Sequence, residues 1–186
     1  MSEELKTFKA GAYTLVARSI DMNYRGVMWA AGEIVVDIQR ATLEEVWGAL
    51  WDALYEKQIS VATTRINAPT PVELAKAFAN ISHQLSPGHK AMLRAHLKAV
   101  DNQITATQLA KAAGYANFRA ANLQYGLVGA MLFAELPIVL PTREDGSAVM
   151  TCTIAQEDDL RESNAEHWIW KMRPNVAEGL AASGIL

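Results

Sequence analysis

The chain has 186 residues, 51% apolar and 20% charged, a balance that suits a globular protein with a buried core and excludes a disordered or fibrous chain. Its formal net charge of −3 excludes a uniformly basic nucleic-acid binder. No apolar run reaches the about eighteen residues of a membrane span. MSEELKTFKAGAYTL at the start lacks the basic and apolar blocks of a secretory signal, so a cytoplasmic protein is expected.

In chain order, residues 12–20 (AYTLVARSI) and 26–38 (GVMWAAGEIVVDI) are rich in β-branched and aromatic residues and read as strands. DMNYRG between them supplies turn residues, and Gly32 marks a further bend or bulge. Thr42 is placed to cap a helix, with Glu45 completing a capping box. Leu43, Val46, Trp47, Leu50, Trp51 and Leu54 then recur at helical spacing, a wide apolar stripe for a sheet, and the unit is expected to end near Lys57. ISVATTRINAPTP reads as a linker, with a further strand at its start as the alternative. This predicts a β-β-(β)-α module over 1–66 and a second domain over 67–186.

The second domain opens with two helices, each with a hydroxyl cap and proline in the first turn: Thr70-Pro71 and Ser86-Pro87. The first carries Val72, Leu74, Ala75, Phe78, Ala79 and Ile81, and the second buries Met92, Leu93, Leu97 and Val100 by periodicity. DNQ forms a loop into the stretch Ile104–Glu135, which has helix-turn-helix spacing: Thr105 and Thr107 as cap candidates, Leu109, Ala110 and Ala113 as one apolar face, and Gly114 as the helix stop. A longer helix follows, with Ala120 and Leu123 expected to face the core. Past Leu136, SAVMTCTI and HWIWKM read as strands joined by the polar loop AQEDDLRESNAE, and a closing helix runs from Arg173-Pro174-Asn175 to a Gly184 cap. The fold class expected is α+β: a small antiparallel sheet plus helix, then a winged-helix-like domain with residues 155–166 as its wing.

Charge is uneven. Lys90, Arg94, Lys98, Lys111 and Arg119 stand against Asp101 and Glu135 between His83 and Glu135, whereas the segments on either side are acidic. Lys90, Arg94 and Lys98 recur every fourth residue as one stripe, suited to phosphates or simply solvated. On the longer helix Asn117, Arg119, Asn122, Gln124 and Tyr125 are the candidates to meet a DNA groove, since Asn and Gln bond adenine edges and Arg reads guanine; ordinary surface amides are the alternative, and Tyr125 also suits a core position. The acidic wing residues Glu157, Asp158, Asp159 and Glu162 oppose phosphate contact and suit a protein partner. Cys152, the single cysteine, excludes an internal disulfide and reads as a small core residue. His89 and His96 lack metal-ligand spacing and are expected to cap or face solvent; His167 precedes Trp168 and Trp170, an indole pair expected on one sheet face. No phosphate loop, nucleophile triad or carboxylate pair stands out, so no enzyme, metal or cofactor is expected.

Two resemblances add to this. Residues 12–57, a small sheet followed by a helix opening with Thr-x-Glu-Glu, loosely resemble the β-β-(β)-α unit of HicB-like antitoxins, which implies a binding or dimerisation module. Thr105 to Gly114, Ala121-Asn122-Leu123-Gln124-Tyr125-Gly126 and Trp168 to Pro174 make residues 85–182 similar to a helical domain that accompanies HNH nuclease modules in predicted restriction endonucleases. That likeness implies a role near DNA in restriction, phage defence or a mobile element. No HNH residues follow within the 186, so cleavage is not implied. The function expected is non-enzymatic nucleic-acid binding, DNA first, with homodimerisation open. The alternative is a protein-interaction module, an inhibitor or subunit of a nucleic-acid-targeting defence complex.

Overall fold

The computed structural model describes residues 6–157 and 169–186 of a mixed α+β chain with two units, Met1–Ile66 and Asn67–Leu186. In the first unit β1 (Lys6–Ala10), β2 (Tyr13–Ile20), β3 (Asn23–Ala30) and β4 (Glu33–Arg40) form an antiparallel meander in chain order, followed by α1 (Leu43–Thr64). Strand β1 was not expected. The 26–38 segment is two strands, because Ala31 and Gly32 both take positive φ, the requirement of a two-residue hairpin turn matched to strand twist. DMNYRG turns only at Asp21-Met22, where Asp21 itself accepts φ 52°; Asn23 to Gly26 belong to β3.

Helix α1 opens with the Thr42–Glu45 capping box and runs to Thr64, so residues 59–64 are helix, neither linker nor strand. Its Val46, Leu50 and Leu54 are buried over the sheet face that presents Leu15, Ala17 and Met28. Gly26 lets helix and sheet approach closely: a Cβ there would lie 2.6 Å from Val46 Cγ1. At the β1 edge Phe8 meets Trp51 edge-on, with ring centroids 4.7 Å apart.

The second unit contains α2 (Pro71–Ile81), α3 (Pro87–Lys98), β5 (Gln103–Thr105), α4 (Ala106–Ala113), α5 (Phe118–Glu135), β6 (Ala155–Glu157), β7 (Ile169–Met172) and α6 (Pro174–Ala182). The three short strands make an antiparallel sheet ordered β5-β7-β6. Thr70 with Glu73, Ser86 with His89 and Thr105 with Gln108 each close a reciprocal capping box. Gly114 ends α4 in the left-handed conformation at φ 71°, where a Cβ would be strained.

Several expectations change here. Val100 is 84% exposed, since α3 stops at Lys98 and a 3-10 turn carries residue 100 outward. Val72 is also exposed, on the outer side of α2. SAVMTCTI is no strand: Met150–Thr153 form a 3-10 turn against α5, and pairing resumes only at Ala155. Cys152 is buried there. Of the expected wing, only its first residues, Ala155–Glu157, are described, as β6; Asp158, Asp159, Glu162, His167 and Trp168 lie outside the described residues.

One core spans α2 to α6, with Phe78, Met92, Leu93, Leu109, Tyr125 and Leu132 among its buried side chains. Gly129 on α5 permits the closest approach, because a Cβ there would stand 2.1 Å from the Met150 carbonyl oxygen. Backbone cannot swing aside as a side-chain tip can. Gly129→Ala is therefore expected to destabilise the second unit by about 1–3 kcal/mol, read from urea unfolding; an unchanged midpoint would contradict this packing.

Candidate nucleic-acid interface

The candidate interface is the α4–turn–α5 hairpin. Asn117 caps α5, its Oδ1 accepting from the Ala120 amide at 3.0 Å, and so starts the helix four residues after α4 ends. The first turns of α5 are open to solvent: Phe118 and Arg119 are exposed, and the Arg119 guanidinium lies 5.9 Å from the Phe118 ring centre. Lys111 is exposed in the last turn of α4. Gly88 at the start of α3 lies under Tyr115 in the turn, which brings Lys90 to the same end of the hairpin. Arg94 and Lys98 continue Lys90's stripe along the solvent side of α3, opposite the buried His89, Met92, Leu93 and His96.

The phase of α5 differs from expectation. Leu123 is 64% exposed and Ala120 half-buried, whereas Ala121, Tyr125, Val128, Gly129, Leu132 and Phe133 form the buried side. Tyr125 is thus removed from the groove-facing set. It is fully buried, and its hydroxyl lies 2.6 Å from His96 Nδ1. Gln124 is also committed: its side-chain oxygen lies 2.8 Å from His89 Nε2. A bidentate contact to adenine needs that oxygen free together with the NH₂ group. Asn122 is half-buried beside Ala121. The residues left on the open surface are Asn117, Arg119 and Lys111, with Arg94 and Lys98 on α3 and Lys90 half-buried beside them.

Two histidines hold α5 in this phase. His89 accepts the Ser86 amide proton at Nδ1, so in the neutral ring Nε2 carries the proton and donates to Gln124. His89 does cap, as expected, but inward. His96 is core, against expectation. Its Nε2 lies 2.9 Å from the carbonyl oxygens of both Asn102 and Trp170, and carbonyls only accept, so Nε2 is protonated and Nδ1 accepts from Tyr125. Burial pushes the His96 pKa down to about 4, partly opposed by those two carbonyls, and burial also raises that of Tyr125. The spacing 89, 92, 93, 96 is the buried stripe of a helix, and this pattern was the available signal that both histidines point inward.

Among the described residues no group of three His, Cys, Asp or Glu is placed to hold a metal ion, and no helix is long and apolar enough to cross a membrane. Comparison with protein-family models, curated proteins and solved structures found no match.

The depressed pKa of His96 makes a pH prediction. The unfolded chain binds its proton near pH 6.5 and the folded chain only near 4, so the stabilising contribution is complete above 6.5 and is lost as pH falls from 6.5 to 4. The loss is about 3 kcal/mol at roughly 1.4 kcal/mol per pH unit. Unfolding free energies of the native chain and of His96→Gln are expected to converge by that amount across the window. Parallel curves would contradict a buried neutral imidazole.

Proposed function

We propose that the chain is a non-enzymatic DNA-binding protein of a restriction, phage-defence or mobile-element setting, whose second unit is winged-helix-like with α5 as its recognition helix. What supports this most is the element order α3–β5–α4–α5–β6–β7, with β7 between β5 and β6: a helix-turn-helix backed by a ribbon, presenting the solvent-exposed start of α5. In such a docking the first turns of the second helix enter the major groove. Arg119 and Asn117 are then the base-edge candidates. Lys111 and Lys90 flank them for phosphate contacts, and Arg94 and Lys98 extend the stripe. A reducing compartment, the cytoplasm, suits the single buried cysteine Cys152.

Duplex binding followed by fluorescence anisotropy over a salt series tests the proposal. Each phosphate-neutralising cation adds about 0.9 to the slope of log affinity against log salt. Lys111→Ala with Arg119→Ala is expected to weaken binding, and loss of the Lys111 phosphate contact to flatten that slope by about 0.9. No binding at low salt, or an unchanged slope, would sink it.

A second reading has its own observation. Leu123 and Leu127, four apart on one face of α5, are both exposed, an apolar pair that suits a protein partner, as in an inhibitor or subunit of a nucleic-acid-targeting complex. Leu123→Asp with Leu127→Asp is then expected to abolish partner capture while leaving the fold intact. Capture that survives both changes removes this reading.

A further inference from the structure

The sheet of the first unit has a second face, turned away from α1, that the core of this unit does not use. Strand register fixes what stands on it. Lys9, Thr14, Trp29 and Ile34 lie side by side across the four strands. Val16 and Val27 are paired in the next row, and Arg18 is paired with Arg25 in the row beyond. Trp29 and Ile34 are 37% and 44% exposed, and with the two valines and two arginines they line a shallow hollow.

Three features mark this face as more than a solvated surface. Arg18 stands directly opposite Arg25, and like charges at that spacing repel and destabilise the pairing. The acidic side chain in the adjoining row, Asp37, takes a two-pronged pair from Arg25, with Nε donating to Oδ1 at 2.8 Å; it holds that guanidinium flat across β3 and β4. Finally, an indole sits at one end of an aliphatic floor, about 13 Å along the strands from the arginine row, with Lys9 about 10 Å to its side.

We infer that this face binds single-stranded nucleic acid, with a base stacked on Trp29 over the Val16–Val27 floor and the flanking phosphates met by Arg18 and Lys9, Arg25 being held by Asp37. Every base has a π-face, so one indole in a basic hollow suits a strand whose bases are unstacked. In a duplex those faces are hidden. A second copy of the chain is the poorer occupant: a two-fold interface joins a patch to itself, and would gather the basic residues of both copies in one buried layer. The inference rests on the first unit alone and stands independently of duplex binding by the second.

The test is anisotropy of the full chain with fluorescein-labelled oligo-dT and oligo-U of about twenty nucleotides. Both are expected to bind at low salt; a preference for either supports the inference and names the polymer. Trp29→Ala is expected to weaken binding roughly 5- to 150-fold, the range for loss of one stacked base. Trp29→Phe, which keeps a ring, is expected to retain most of the affinity. Arg18→Ala should flatten the salt slope by about 0.7. Lys111→Ala with Arg119→Ala should leave single-strand affinity unchanged. The inference is overturned if neither oligonucleotide binds, if a folded Trp29→Ala protein binds as the native chain does, or if Trp29→Ala converts a dimer to a monomer in sedimentation without changing oligonucleotide binding.

Discussion

The second unit depends on one buried imidazole. His96 is the point where α3, α5, the turn after α3 and β7 meet, and each contact constrains the next. Asp101 and Asn102 both take left-handed φ of 53°, which turns the Asn102 carbonyl inward, and the Asn102 side-chain Nδ2 secures the turn by donating to the Leu97 carbonyl at 2.8 Å. The Asn102 and Trp170 carbonyls share a single Nε2 proton, so the ring has no freedom of tautomer. Tyr125 must then donate to Nδ1, which fixes the rotation of α5 about its own axis. A leucine of similar size would remove the imidazole's hydrogen bonds to two carbonyls and a phenol, at about 1–3 kcal/mol for each group left unsatisfied. The exposed start of α5 is therefore set by a polar contact more than ten ångströms along the chain from it in helical rise, at roughly 1.5 Å per residue from Phe118 to Tyr125.

The first unit solves a different problem, with small residues in place of a polar node. Ala10, Ala17 and Gly26 on the α1-facing side leave room for Val46 and Leu50 to settle onto the strands. Strand alternation then sends the charged residues of β2 and β3, and Trp29 with them, to the other side. Two properties follow from one pattern: the helix side is closely filled, and the outer side receives Arg18, Arg25 and Trp29 as a set. A one-residue slip in register would exchange the two faces. The β-bulge between Met28 and Trp29 is where that register is adjusted, and it lets Ile34 stand beside the indole.

Much of the helical frame was legible because helix starts are local chemistry. Thr42 with Glu45, Thr70 with Pro71, and Ser86 with Pro87 announce themselves within four residues, and so do Thr105 and Gly114. Mixed α+β architecture followed from them. What escaped depended on distant partners or on conformations that residue type conceals. Asp21 and Ala31 accept left-handed φ without being glycine, so the turn in DMNYRG and the bend at Gly32 could not be narrowed to Asp21-Met22 and Ala31-Gly32. β5 has only three residues and exists through its pairing with β7. MTCT has strand-like composition, but its backbone is pressed against Gly129 and coils. The phase of α5 was the costliest miss for the candidate site. That helix is apolar nearly all round, so periodicity alone cannot choose between Leu123 and Tyr125 as its inward residue. His96 makes the choice, and it lies outside the helix.

That same all-round apolarity explains why net charge is a poor guide to what this chain binds. At physiological salt a charge is felt over about 8 Å, so −3 spread over 186 residues sets no single potential at any one surface. What matters is which charges lie within that distance of each other. On the sheet, Arg18 and Arg25 are directly paired neighbours, at roughly 5 Å between Cβ atoms, and the Asp37 carboxylate bonded to Arg25 lies inside the same screening length. On the hairpin, Lys111 and Arg119 flank a turn, while the outer side of α5 beyond them carries Leu123 and Leu127 in place of further cations. The hairpin thus concentrates its positive charge at one end and becomes apolar along its length. A ligand that rewards both ends of such a surface is one that presents anionic groups to the start of α5 and a non-polar surface one to two turns further on.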